Sequence, residues 1–257
     1  EIYRLNLVIG IDYFDFKDLD GRYSALIKCD VSGKGSPAAL IMAEVAALFC
    51  DYFKTWSYKK NGTNLSELVT KINDHIEARS LRGKFAAFTL ALFDTQEGDI
   101  YFCNAGDNII HIYDSTEHKK KTIFLTETPP AGPFPSFMIE MKGGYPVEKL
   151  HLNSGDVLFL YTDGIEEAKR LYRDTESGKP LRFKPETSTE VLNEDDKDAT
   201  DGEEMSPDRV NAVIEAVFSR KKYRLVKKAN PVDDITNLDF EFDFTNCQGT
   251  PEEVIMA

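Results

Sequence analysis

The chain has 257 residues, 42% hydrophobic and 11% aromatic, which is enough apolar material for one large globular domain or two small ones. Its net charge of −13 at pH 7 argues against a nucleic-acid surface, which needs a basic stripe, and suits a site that gathers cations. The four cysteines, Cys29, Cys50, Cys103 and Cys247, have no paired spacing and read as reduced core residues of a cytoplasmic protein.

No signal peptide is visible, and the most apolar stretch, AALIMAEVAALF, is interrupted by Glu44 and too short to span a bilayer, so no membrane contact is expected of this domain. The first residue is Glu1 and the chain opens inside a strand-like run. The expectation is the C-terminal part of a longer regulated protein, whose upstream region has room for a sensor domain or a membrane anchor.

Taken in chain order, IGIDYFDF at 9–16 places Asp12 and Asp15 in an otherwise apolar strand. An unpaired carboxylate near a core costs roughly several kcal/mol, so a cation or hydrogen-bond donors should neutralise them. A turn at DLDG leads to the strand YSALIKCDV at 23–31, which ends on Asp30 and a glycine-rich turn. Ser36 and Pro37 open a helix to about Trp56, apolar nearly all round and so expected between layers. Asn64 caps a second helix with Leu65, Leu68, Val69, Ile72 and Ile76 along one stripe. Short strands follow: FAAFTLALFD, DIYFCNAGD, NIIHIYD, KTIFLTE, SFMIEMKG, EKLHLN and DVLFLYTD, punctuated by turns at TQEGD and NSGD. A third helix starts at Asp208 with Val210, Val213, Ile214 and Val217 on one face, and ITNLDFEFDF at 235–244 is a last strand. This pattern predicts an α+β fold of antiparallel sheets with helices packed on them, as one domain over 1–257. An acidic insertion at about 185–207 cannot bury enough apolar surface to order itself and reads as a solvated surface loop rather than a flap.

Several carboxylates fall at strand ends beside glycine or another aspartate: Asp12 in GID, Asp30 in DVSG, Asp107 in NAGD, Asp163 in TDG, and Asp233 with Asp234 in DDIT. Taken singly, each is ordinary turn chemistry. Jointly they point further, because Asp163 ends the apolar run VLFLYT and Asp233 adjoins a second like charge. Carboxylates converging from several strand ends make a hard-oxygen site for Mg²⁺ or Mn²⁺. His75, His111, His118 and His151 are scattered, whereas zinc would want them clustered. The Gly-Lys-Gly of the turn at 33–35 lacks the upstream glycine and following Ser or Thr of a nucleotide loop. Gly33 and Gly35 instead allow backbone to approach a metal or its waters.

The order GID, DVSGKG with PAAL, FTL with NAGD, TDG with EA, and DDIT resembles the SpoIIE/RsbU branch of the metal-dependent PPM protein phosphatases, over about residues 8–244. The resemblance implies a four-layer αββα sandwich of two antiparallel sheets flanked by helices, with a two-metal centre. By position, Asp12 and Asp30 would hold one Mn²⁺ or Mg²⁺ with the Val31 carbonyl, and Asp30 would bridge to a second held by Asp163 and Asp233. Asp15, Gly33, Gly164 and Asp234 would be supports. Three features depart from the branch. Ile11 stands where a second glycine is usual, and the acidic insertion is longer. NAGD replaces NAGH, so Asp107 is either a ligand for a third metal, as a Gly-Asp often is in the wider family, or a turn residue.

What the resemblance implies is a serine/threonine phosphatase using metal-activated water, with no phospho-enzyme and no cysteine nucleophile. Lys34 is the nearest candidate to assist the phosphate, against the plainer reading of an exposed turn lysine. The substrate implied is a phosphorylated bacterial regulator such as a STAS-type anti-sigma-factor antagonist, with an upstream regulatory domain shifting helices against the site. A homodimer is compatible with this scheme. The rival reading is a catalytically degenerate module of the same fold that acts by binding a partner; a third is a phosphatase for small phosphoesters.

Overall fold

The computed structural model describes residues 12–33, 35–79, 83–168, 182–183, 191–192, 206–225 and 240–251. Strand β1 (Asp12–Asp18) turns back at DLDG and pairs antiparallel with β2 (Tyr23–Val31). The turn is tied by its own carboxylates. Asp18 Oδ1 accepts from Gly21 N at 3.0 Å, and Asp20 Oδ1 accepts from the amides of Arg22 and Tyr23 at 3.1 and 2.9 Å. Gly21 sits at φ 76, which a side chain would resist.

Helix α1 (Ser36–Lys54) begins after the glycine turn, with Gly35 rather than Ser36 at its N-cap and Pro37 in its first turn. It is not buried all round, as its composition suggested. Ala38, Ile41, Val45, Phe49 and Phe53 form a single buried stripe, while Leu40 is 65% exposed. The helix has the length and composition of a membrane span, but that stripe packs on a sheet. After the short α2 (Tyr58–Asn61), α3 (Ser66–Ala78) buries Leu68, Val69, Ile72 and Ile76 of the predicted stripe; its N-cap is buried Leu65 rather than Asn64, whose Oδ1 accepts from Ser66 N at 3.1 Å just ahead of the helix.

Strands β3 (Ala86–Asp94), β4 (Asp99–Ala105), β5 (Ile109–Asp114) and β6 (Lys119–Phe124) follow as the alternation predicts. The segment SFMIEMKG does not form the expected strand. It holds a one-turn helix, α4 (Ser136–Glu140), entered from Pro135 and left through Gly143 and Gly144, with only Ile139 buried. Buried Asn73 of α3 fixes this loop: its amide group donates to the Phe134 carbonyl at 3.1 Å and its Oδ1 accepts from Gly132 N at 2.8 Å. Strands β7 (Glu148–His151) and β8 (Val157–Phe159) complete two sheets, ordered β1-β2-β3-β4-β7 and β6-β5-β8.

The chain divides into two compact units, Glu1–Ser115 with Lys121–Thr162, and Thr116–Lys120 with Asp163–Ala257. In the first, alternate residues of β2 separate two cores. Tyr23, Ala25, Ile27, Cys29 and Val31 pack with α1 and α3 on one face of the five-stranded sheet. On the other face Ala91, Ile100 and Phe102 meet Ile110 and Leu125, with half-buried Leu26 and Leu158 beside them. The bidentate pair of Arg22 on Asp94, at 3.0 and 2.6 Å, clamps the far end of β2 to the end of β3.

The second unit contains a 3₁₀ turn (Asp163–Ile165), the short pair β9 (Arg182–Phe183) and β10 (Val191–Leu192), helix α5 (Ser206–Phe218), and the antiparallel pair β11 (Lys222–Leu225) and β12 (Phe240–Asp243). Val210, Ile214 and Val217 of α5 are buried as predicted, and Val213 is half-buried. The architecture is α+β, antiparallel sheets with helices. Most of the acidic insertion lies outside the described residues.

Candidate metal centre

Two of the aspartates that the sequence singles out, Asp12 and Asp30, are brought together. In the β1–β2 ladder Asp12 stands directly opposite Asp30, so the pair shares one face of the sheet. The same parity puts Phe14, Lys28 and Leu26 on that face, with Lys28 buried and Phe14 exposed, and sends Asp15 to the other. Asp15 is accounted for there by donors alone. Its carboxylate accepts from the Tyr13 hydroxyl at 2.9 Å, Lys17 Nζ at 2.9 Å, Phe16 N at 2.7 Å and the Cys50 thiol at 3.5 Å. Although its burial works the other way, these donors hold Asp15 below the usual carboxylate range. Asp15 thus lies on the helix side of the sheet, away from Asp12 and Asp30.

Asp12 Oδ2 accepts from the hydroxyl of Thr162 at 2.9 Å, within the first unit. Asp163 follows Thr162 in the chain and opens the 3₁₀ turn, its carbonyl accepting from Glu167 N at 2.8 Å, with Gly164 inside that turn. Val31 closes β2, fully buried, opposite Ala86 of β3. The glycine turn leaves from there. Gly33 has φ 90, and a Cβ on it would fall 1.8 Å from the ammonium of Lys84, which donates to the Ser32 carbonyl at 3.3 Å. Lys34, Asp233 and Asp234 lie outside the described residues, as does Ile11.

Asp107 reaches the same end of the inter-sheet layer from the β4–β5 turn. Its carbonyl accepts from Thr89 Oγ1 at 2.6 Å, and its carboxylate is held by Lys28 Nζ at 2.9 and 3.1 Å. The turn needs Gly106: φ is 76, and a Cβ there would lie 2.8 Å from the Pro130 ring. Cys29, on the helix face between Lys28 and Asp30, senses all of this. Burial pushes its thiol well up, and the charges of Asp30, Asp107 and Asp12 push it further, in that order.

Sequence reasoning missed Lys28. It is 6% exposed, and among the described residues it is the only lysine or arginine in the buried set. The signal was present: Lys28 lies two residues before Asp30 and so shares its face.

Hard-oxygen chemistry fits the Asp12–Asp30 pair. Like charges directly opposite in an antiparallel ladder are destabilising, and a divalent cation relieves them. Among the described residues no group of three histidine, cysteine or acidic side chains is close enough to hold a metal ion. A cleft of about 860 Å³ between the sheets is lined by Phe14, Phe16, Leu26, Phe93 and the 152–157 turn. It lies toward the other end of the layer from Asp30 and Asp107, neither of which lines it.

The comparisons with known proteins agree with this architecture. The family model for stage II sporulation protein E (SpoIIE) matches residues 20–243. Among solved structures, the RsbU and RsbW domains of Rv1364c from Mycobacterium tuberculosis superpose with a TM-score of 0.50 at 23% identity, covering 63% of this chain and 41% of that one. The PP2C phosphatase domain of SpoIIE from Bacillus subtilis, with a fragment of its regulatory domain, gives 0.50 at 21% identity, covering 63% and 43%. The chain thus spans less than half the length of either solved chain in the aligned part. No curated protein sequence matches. With the motif order, the paired aspartates and a family model that spans most of its length, the chain belongs to the SpoIIE family, of the SpoIIE/RsbU type of the PPM phosphatases.

Proposed function

We propose that this chain hydrolyses a phosphoserine or phosphothreonine on a bacterial signalling regulator, with Mn²⁺ or Mg²⁺ held by Asp12, Asp30 and the Val31 carbonyl and by Asp163 and Asp233. The observation that carries the reading is the register that sets Asp12 directly against Asp30. Two carboxylates so placed favour a state in which divalent charge lies between them. When bound, such ions supply an activated water and positive charge for the phosphoryl oxygens.

The chain's own residues set the frame for that chemistry. Thr162 orients Asp12. The Ser32 hydroxyl, accepting from Phe85 N at 2.8 Å and donating to the Gly83 carbonyl at 3.3 Å, fixes the departure of the glycine turn beside Asp30. The substrate in this reading is a small phosphoprotein of the anti-sigma-factor-antagonist type, and the activity is governed by a regulatory domain elsewhere in a longer protein. Support for that comes from the family and from the solved SpoIIE chain, which carries a fragment of a regulatory domain.

The test is phosphate release from an aryl phosphate and from a phosphoserine peptide in millimolar Mn²⁺, with Asp30→Asn and an EDTA control. Release that both the substitution and the chelator abolish supports the reading. Release indifferent to both removes it, and a folded protein with no release and no Mn²⁺ binding points to the partner-binding module.

A further inference from the structure

Lys28 is locked. Its Nζ lies 2.9 and 3.1 Å from the two carboxylate oxygens of Asp107 and 3.2 Å from the Ile109 carbonyl. An ammonium has three protons, and here it has three acceptors, so its hydrogen-bonding capacity is matched. The stem is buried between the sheets, and the strand partner of Lys28 on β3 is Thr89, whose hydroxyl holds the Asp107 carbonyl at 2.6 Å. Two strands and a turn therefore converge on one ion pair, on the face that carries Asp30 and Asp12.

We propose that Lys28 is a resident cation of the metal centre: its ammonium occupies the place beside Asp107 that a further divalent ion would otherwise claim, and confines divalent binding to the Asp12–Asp30 side. Asp107 is then an anchor for Lys28 and not a metal ligand, and Lys28 is a positioning residue. This rests on the metal-dependent reading above. It also accounts for an aspartate in NAGD and a lysine two residues before Asp30 as one complementary pair. An unmatched carboxylate in a low-dielectric layer invites a cation, and a neighbouring strand residue supplies it covalently.

The experiment counts bound Mn²⁺ on the full chain by calorimetry, in wild type, Asp107→Asn, Lys28→Met, Lys28→Arg and the Lys28→Met/Asp107→Asn double variant. The expected result for Asp107→Asn is the wild-type number of ions, with affinity within about threefold, because a lost ligand charge would cost tenfold or more. Lys28→Met gains one ion or binds about tenfold more tightly, since a fixed positive charge has left and Asp107 is freed. The double variant returns to the wild-type count, and Lys28→Arg keeps it. Should Lys28→Met show no cooperative melt, Asp107→Asn decides alone. An ion lost in Asp107→Asn, or no change in count and affinity in folded Lys28→Met, overturns the inference and leaves the function reading standing. No Mn²⁺ bound by wild type overturns both.

Discussion

Asp12 and Asp30 are direct cross-strand partners in the β1–β2 ladder, two like charges on one face at the polar end of the inter-sheet layer. Their juxtaposition has a cost in the metal-free protein. Asp12→Asn should therefore raise stability in EDTA by about 0.5 kcal/mol, the scale of a cross-strand like-charge pair. The same substitution should lower Mn²⁺-dependent phosphate release by roughly a hundredfold or more. Urea unfolding in chelator, set beside the activity assay, checks the opposite signs.

The Lys28–Asp107 pair is worth more to the fold. Lys28→Met leaves the Asp107 charge, only 22% exposed, without its partner, and should destabilise by about 3 kcal/mol. The Lys28→Met/Asp107→Asn variant should be less destabilised than the sum of the singles, with a coupling of about 1 kcal/mol or more. Denaturant melts of the four proteins measure this directly, and additive losses would mean the two side chains do not interact.

Gly106 and Gly35 separate two kinds of glycine requirement. Both have positive φ, 76 and 77, but a Cβ at Gly106 meets Pro130 at 2.8 Å, whereas none is met within 4 Å at Gly35. Gly35→Ala should cost about 1 kcal/mol from backbone strain alone. Gly106→Ala should cost about 2–3 kcal/mol and shift the turn that presents Asp107. Thermal unfolding of the two variants tests the order.

The parts that the sequence made legible are those where periodicity and motif agree. The inward and outward parity of YSALIKCDV follows from alternation, and the strand end at Asp30 follows from the glycine turn behind it. Strand parity carries information at two further places. Asp12 and Asp15 are three residues apart and so lie on opposite faces, which gives them different partners: the Thr162 hydroxyl for one, and Tyr13, Lys17, Cys50 and the Phe16 amide for the other. Lys28 reads as an interruption of an apolar strand until its partner is known, and the partner lies 79 residues away in sequence. SFMIEMKG looks like a strand because its apolar residues are spaced in a short window. A proline before it, two glycines after it and Asn73 beneath it select a single helical turn instead.

Acid should act on the fold through Asp94. The Arg22 guanidinium pulls its carboxyl down to about 2, well under the ordinary value near 3.9. A depressed carboxyl contributes stability that is fully present above about pH 4 and is lost as pH falls through about 2. With Arg22 more than a third exposed, the contribution is about 1 kcal/mol rather than the full linkage value. Asp94→Asn should lower stability at neutral pH and flatten the stability profile between about pH 4 and 2. Chemical unfolding across that range reads the slope.

The most direct measurement of the central claim is the shift in unfolding free energy on adding Mn²⁺ to wild type, Asp12→Asn and Asp30→Asn. A ligand that binds only the folded state at a hundredfold excess over its Kd stabilises by about 2.7 kcal/mol. The paired aspartates predict a gain of that order in wild type and its loss in either variant. Equal stabilisation of all three proteins, or none in wild type, would contradict a cation held between Asp12 and Asp30.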